Sequence, residues 1–124
     1  MREIKFRAFI KNDIGGGFYI PSDDSDVFMV SNGRGFTIYD EYKHTMPKEK
    51  YCIEEYSGIN DKLGVNIYRG DIVKAFNKNY EVVFKDGAFY IKNDVVHHRL
   101  SRVLIKQENL KIIGNIHDNP ELLK

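Results

Sequence analysis

Hydrophobic and polar residues alternate with a period of two through much of the chain. In MREIKFRAFI, Ile4, Phe6, Ala8 and Ile10 fall on one face, and Glu3, Lys5, Arg7 and Phe9 on the other. A half-buried strand over residues 2–10 has this pattern, because successive side chains leave a strand on opposite sides. Phe9 interrupts the polar face, which predicts that another segment covers it. After glycines at 15–17, Phe18–Ile20 reads as a returning strand. The acidic turn Ser22–Asp26 leads to a strand at Val27–Val30. Ser31–Gly35, with Asn32–Gly33 inside it, is a turn before the strand that begins at Phe36. Residues 41–50 are polar, contain Pro47 and read as a connecting loop.

The second half follows the same grammar. Tyr51–Tyr56 and Asp71–Phe76 read as strands, with GINDKLG from Gly58 as a polar loop between them. A turn at Asn77–Asn79 leads to Tyr80–Phe84, and one at Lys85–Gly87 leads to Ala88–Lys92. Asp-Gly between alternating runs is a strong hairpin signal. Leu100, Val103 and Leu104 stand at i, i+3 and i+4, so a short amphipathic helix near 99–106 competes with a strand there. Leu110–Ile116 reads as the last core strand. Asn119 as N-cap and Pro120 at the first helical position predict a helical turn over 119–123. The fold class is mainly β with minor α, built of short antiparallel strands and hairpins, as in a sandwich or small barrel. The simplest organisation is a single domain over 1–124, with a possible β subdomain at 1–46 and a second at 51–116.

Composition narrows the function classes. The 124 residues are 42% hydrophobic and 30% charged, as in an ordinary globular domain. Lys and Arg total 19 against 18 for Asp and Glu, a net charge of +1. That balance gives no support to a duplex-DNA binder, whose affinity comes largely from neutralising phosphates. Cys52 is the only cysteine, so no intramolecular disulfide can form. Glu54 and Glu55 beside it favour the inert thiol over the reactive thiolate. No signal-peptide core or membrane-length apolar run is present, so the expected location is the cytoplasm and no membrane partner is expected.

Candidate chemistry is sparse. A phosphate loop needs a lysine and a hydroxyl after its last glycine, and GGGFYI has neither. His97 and His98 are adjacent and diverge on a strand, so they cannot readily chelate one ion. NDKLG places Lys62 where a calcium loop needs an oxygen ligand. Asp71, after Gly70, could join an acid–base pair, but an aspartate at a turn more often accepts from nearby amides. No catalytic residue, cofactor or metal is therefore assigned. The most concrete binding candidates are basic. Lys5 and Arg7 share a face with Phe9, and Arg99, Arg102, Lys106 and Lys111 form a second cluster. Basic residues beside an aromatic could hold a single-stranded nucleic acid, and a solvated face is the simpler alternative.

Three segments resemble the YopX family of phage and prophage proteins. REIKFRAF is similar to its opening strand, with Phe9 where the family usually has tryptophan. YSGINDKLGVNIYRGDIV resembles Y-T-G-L-x-D-x-x-G-x-x-I-Y-x-G-D-I-V, matching at Tyr56, Gly58, Asp61, Gly64, Ile67, Tyr68, Gly70, Asp71, Ile72 and Val73. Ser57, Ile59 and Arg69 depart from it. IIGNIHDNPELL resembles the closing I-G-N-I-x-x-N-P-E-L-L, with Gly114, Asn115, Asn119 and Pro120 in place. The resemblance implies a cytoplasmic, phage-related, mainly β protein with an SH3-like small barrel in its C-terminal half. It brings no catalytic residues, so these signature positions read as structural. The expected role is a non-enzymatic accessory protein that binds itself, as a homo-oligomer, or a phage or host protein. Alternatives are a single-stranded nucleic-acid-binding module and a small enzyme using Asp71.

Overall fold

The computed structural model describes residues 5–12, 15–21, 28–31, 36–39 and 46–124. The expected start of the first strand, the turn at Ser22–Asp26, the Asn-Gly turn and loop residues 41–45 lie outside them. In chain order the strands are β1 (Phe6–Lys11), β2 (Gly17–Pro21), β3 (Phe28–Ser31), β4 (Phe36–Tyr39), β5 (Tyr51–Asn60), β6 (Asn66–Tyr68), β7 (Asp71–Ala75), β8 (Lys78–Lys85), β9 (Ala88–Lys92) and β10 (His97–Arg99). Helix α1 (Arg102–Glu108) and β11 (Lys111–Asn115) follow, with 3-10 turns at Lys48–Lys50 and Pro120–Leu123. Among the described residues every ladder is antiparallel. The fold is mostly β, as the alternation predicts.

The chain divides into two compact units, whose described residues are 5–55 and 56–124. In the first, β1 runs between β2 and β5, with Ala8 opposite both Ile20 and Ile53. Ala8, Ile10 and Ile20 form its core, with Met46, Tyr51 and Ile53 against them. Phe9 points the other way and is also buried, its ring edge-on to Tyr19 at 5.0 Å. Its covering, expected from the break in the polar face, is observed. Gly17 is sterically required there: a β-carbon would collide with the Ile10 carbonyl and the Phe9 ring. β3 and β4 form a separate hairpin.

The second unit is built on a five-stranded sheet in the order β10-β9-β8-β7-β11, curled as a half-barrel. Val73, Tyr80, Val82, Phe89 and Ile91 line its inner face, and Ile67, Leu100, Ile105 and Leu110 close the core. Each such side chain contributes about 1.5–3 kcal/mol of apolar burial. Helix α1 starts at Ser101, whose hydroxyl accepts from the Leu104 amide at 3.1 Å. It begins later than the expected residue 99, because Arg99 pairs with Tyr90 in the sheet.

Two local expectations are corrected. The β7–β8 turn uses Phe76 and Asn77, with φ of 52° and 58°, and β8 already begins at Lys78. Phe76 adopts this unusual backbone because its ring packs on Tyr80 and His98 and its N–H donates to Glu108 at 3.0 Å. Asn119 precedes the last helical turn as expected, but its side chain does not cap that turn. It accepts from the Asn115 amide instead. The Asp86–Gly87 turn, with φ of 51° and 78°, forms where Asp-Gly predicts it.

Candidate functional site

The stretch Tyr56–Val73 forms a hydrogen-bonded corner. Tyr56 stands opposite Tyr68 across the β5–β6 ladder, ring centroids 5.6 Å apart, and its hydroxyl bonds Asn60 Oδ1 at 2.5 Å. The Ser57 hydroxyl lies 3.1 Å from both the Ile59 amide and its carbonyl, a local turn that a threonine hydroxyl can also make. Strand β5 therefore runs on to Asn60 through an irregularity in register, where a loop is expected from Gly58. Asp61 is buried, and its carboxylate accepts from Leu63 and Val65 at 2.9 Å and from Ile112 at 3.0 Å. It closes the Asp61–Val65 turn and ties it to β11, which is structural work rather than metal ligation. Ile67 is fully buried in the core.

Asp71 is likewise buried and accepts from the Tyr68 amide at 2.8 Å. Gly70 between them has φ of +93°, a conformation open chiefly to glycine. Its N–H donates to Val82 and its carbonyl accepts from Ile116, both at 2.9 Å. The Asp71 carboxylate is thus used to hold a turn, the ordinary role of an aspartate beside a bend.

The closing segment packs by the same logic. The Asn115 side-chain oxygen accepts from His117 and Asp118 at 2.9 Å, folding the chain back so that Asn119 meets β11. At Gly114 a β-carbon would stand 2.6 Å from Asn119 Oδ1, so this contact needs glycine. Pro120 then opens the final 3-10 turn.

The two segments form one hydrogen-bonded scheme within the second unit, and a family model settles what the scheme is: the YopX protein model matches residues 5–124. The chain belongs to the YopX family. Two solved structures show the same fold. Protein EF1440 from Enterococcus faecalis is 23% identical over 100% of both chains, with a TM-score of 0.69. Protein yopX from Bacillus subtilis is 18% identical, covering 97% of this chain and 98% of its own, with a TM-score of 0.66. Comparison with curated proteins yields no match. The YopX signature positions Tyr56, Asp61, Ile67, Asp71, Gly114 and Asn119 thus serve packing and turn geometry in this chain.

The basic candidates separate. Arg7 donates from Nε and Nη2 to Glu54 Oε1 at 3.0 and 2.9 Å, and its guanidinium lies 3.8 Å over the Tyr19 ring. With Phe9 only 2% exposed, the Lys5–Arg7–Phe9 face offers no open aromatic platform in this conformation. Arg99, Arg102 and Lys106 are all exposed, the last two on one face of α1. His97 and His98 diverge: His97 meets Tyr90, whereas His98 stacks on Phe76. The structure groups Lys111 instead with Lys62 and Lys74, which sequence reasoning did not single out; the three line one cavity of about 300 Å³ with Glu108. No short-range signal reveals it, since only the β7–β11 register makes Lys74 and Lys111 neighbours. Among the described residues, no helix is long and apolar enough to cross a membrane.

Proposed function

We propose that this YopX-family chain is a phage or prophage accessory protein that acts by binding rather than catalysis, with a second copy of itself as its partner. The observation carrying this reading is the tip between β9 and β10. Val95 is 82% exposed, and Val96 beside it is also exposed. An exposed valine alone means little, but this tip is built to shape. The Asn93 side-chain oxygen accepts from both valine amides at 2.9 Å, and the Asn93 N–H donates to Val96 at 3.0 Å. Hollows of about 240 and 330 Å³ flank the tip, the second reaching Leu122 and Leu123. A knob beside a hollow on one surface suits an isologous dimer, where each copy offers both. The structural use of Asp61 and Asp71 supports the non-catalytic part.

Light scattering across a concentration series tests it. The expected result is a mass above that of one chain, falling to one chain in the variant Val95→Asp/Val96→Asp with an unchanged circular dichroism spectrum. A strict monomer at every concentration, or an oligomer indifferent to both substitutions, would overturn the reading.

A further inference from the structure

We infer that the cavity between the Asp61 turn, the β7–β8 turn and the end of α1 is an anion site that takes a phosphate group. In the β7–β11 ladder Lys74 stands directly opposite Lys111. Like charges in direct cross-strand opposition are destabilising, so this pair is a liability to the empty fold. A third lysine joins them. The Lys62 amide donates to the Leu110 carbonyl at 2.9 Å, fixing that residue beside Lys111, and all three line the same cavity of about 300 Å³.

Nearby acids do not neutralise the group. Among the described residues none of the three ammonium groups is ion-paired. Glu108 accepts from the Phe76 amide at 3.0 Å, and Asp61 is held by three amides. Three lysines against Glu108 leave an excess of positive charge at the wall.

The backbone around the cavity is unusual as well. Phe76, Asn77 and Asn109, with φ of 52°, 58° and 50°, all line it, and they are three of the four positive-φ residues other than glycine in the described chain. A bulky residue held in this region marks a place where the fold maintains a costly local shape. Asn77 and Asn109 supply amide groups able to donate. Ammonium point charges with neutral donors suit a compact dianion with several oxygens, and a phosphate ester carries roughly −1.5 to −2 at neutral pH. The same chemistry is offered by a small phosphorylated molecule and by a nucleic-acid backbone.

The test measures thermal unfolding of the full chain with pyrophosphate against sodium chloride at matched ionic strength. Pyrophosphate should raise the midpoint, because a ligand that binds only the folded state stabilises it. In Lys74→Ala/Lys111→Ala the unliganded midpoint should equal or exceed that of the parent, while pyrophosphate affinity falls roughly tenfold per lysine removed. Fluorescence anisotropy with a labelled single-stranded oligonucleotide then separates the sources. Binding that pyrophosphate competes away assigns the site to a backbone phosphate, and protection without oligonucleotide binding assigns it to a small phosphorylated ligand. No protection beyond the salt control, or equal protection of the double variant, would overturn the site.

Discussion

The side-chain oxygen of Asn119 lies 2.6 Å from the point a β-carbon on residue 114 would occupy. These two residues of IGNIHDNPELL therefore constrain each other directly. Gly114→Ala must displace Asn119 and should cost about 1–3 kcal/mol of stability. In Gly114→Ala/Asn119→Ala the combined loss should be smaller than the sum of the single losses, as expected of residues in contact. Chemical denaturation of the three variants measures the difference, and strict additivity would contradict the interference.

Asp61 carries three amide bonds on one buried carboxylate. Asparagine retains the shape but replaces one acceptor by a donor, which then faces an N–H. Asp61→Asn should lower stability by about 2–4 kcal/mol, from weakened charge-assisted bonds and one unsatisfied amide. Urea unfolding gives the magnitude. Hydrogen exchange should locate the loss at Leu63, Val65 and Ile112.

Gly70 is fixed on both sides, to Val82 and to Ile116, at a φ of +93°. A β-branched residue there is strained and the anchored backbone cannot relax, so Gly70→Val should cost about 1–3 kcal/mol or more. A shift in urea midpoint with the oligomeric state of the folded fraction unchanged is the expected outcome. A fully stable variant deficient only in binding would instead make this corner a contact surface.

Phe9→Ala removes a buried ring that touches Tyr19 and should destabilise the fold by about 3–5 kcal/mol. Arg7→Ala leaves Glu54 buried without this partner and should cost about 3 kcal/mol. Neither substitution should change oligonucleotide affinity of the folded protein in anisotropy measurements, because both side chains are engaged internally.

The legible parts of the fold are those whose cause is local. Alternation exposed β1 and β9, and Asp-Gly located the β8–β9 turn; a helix stands within the expected region, but Leu100 precedes it, Val103 is 63% exposed, and Ile105 is its buried residue. The break at Phe9 even announced a covering contact. Where distant contacts decide, the sequence was silent or misleading. Nothing short-range favours Phe76 over Asn77–Asn79 for a turn. Its ring contacts with Tyr80 and His98 and its bond to Glu108, 32 residues away, outweigh the backbone preference. Lys62, Lys74 and Lys111 come from a loop and two strands, so their convergence depends on topology. Asp61 and Asp71 were recognisable as turn residues, whereas the bond from Asp61 to β11 was not.

That bond also sets an order of events during synthesis. Ile112 reaches Asp61 across 51 residues, and β11 forms one side of β7. While the chain emerges from the ribosome, the hairpins β7–β8 and β8–β9 can pair as soon as they are free, since each is local. β7 nevertheless keeps a bare edge, and one oxygen of Asp61 waits for its amide, until residue 112 has left the exit tunnel. The C-terminal unit therefore cannot close before β11 is available, and that strand acts as its latch.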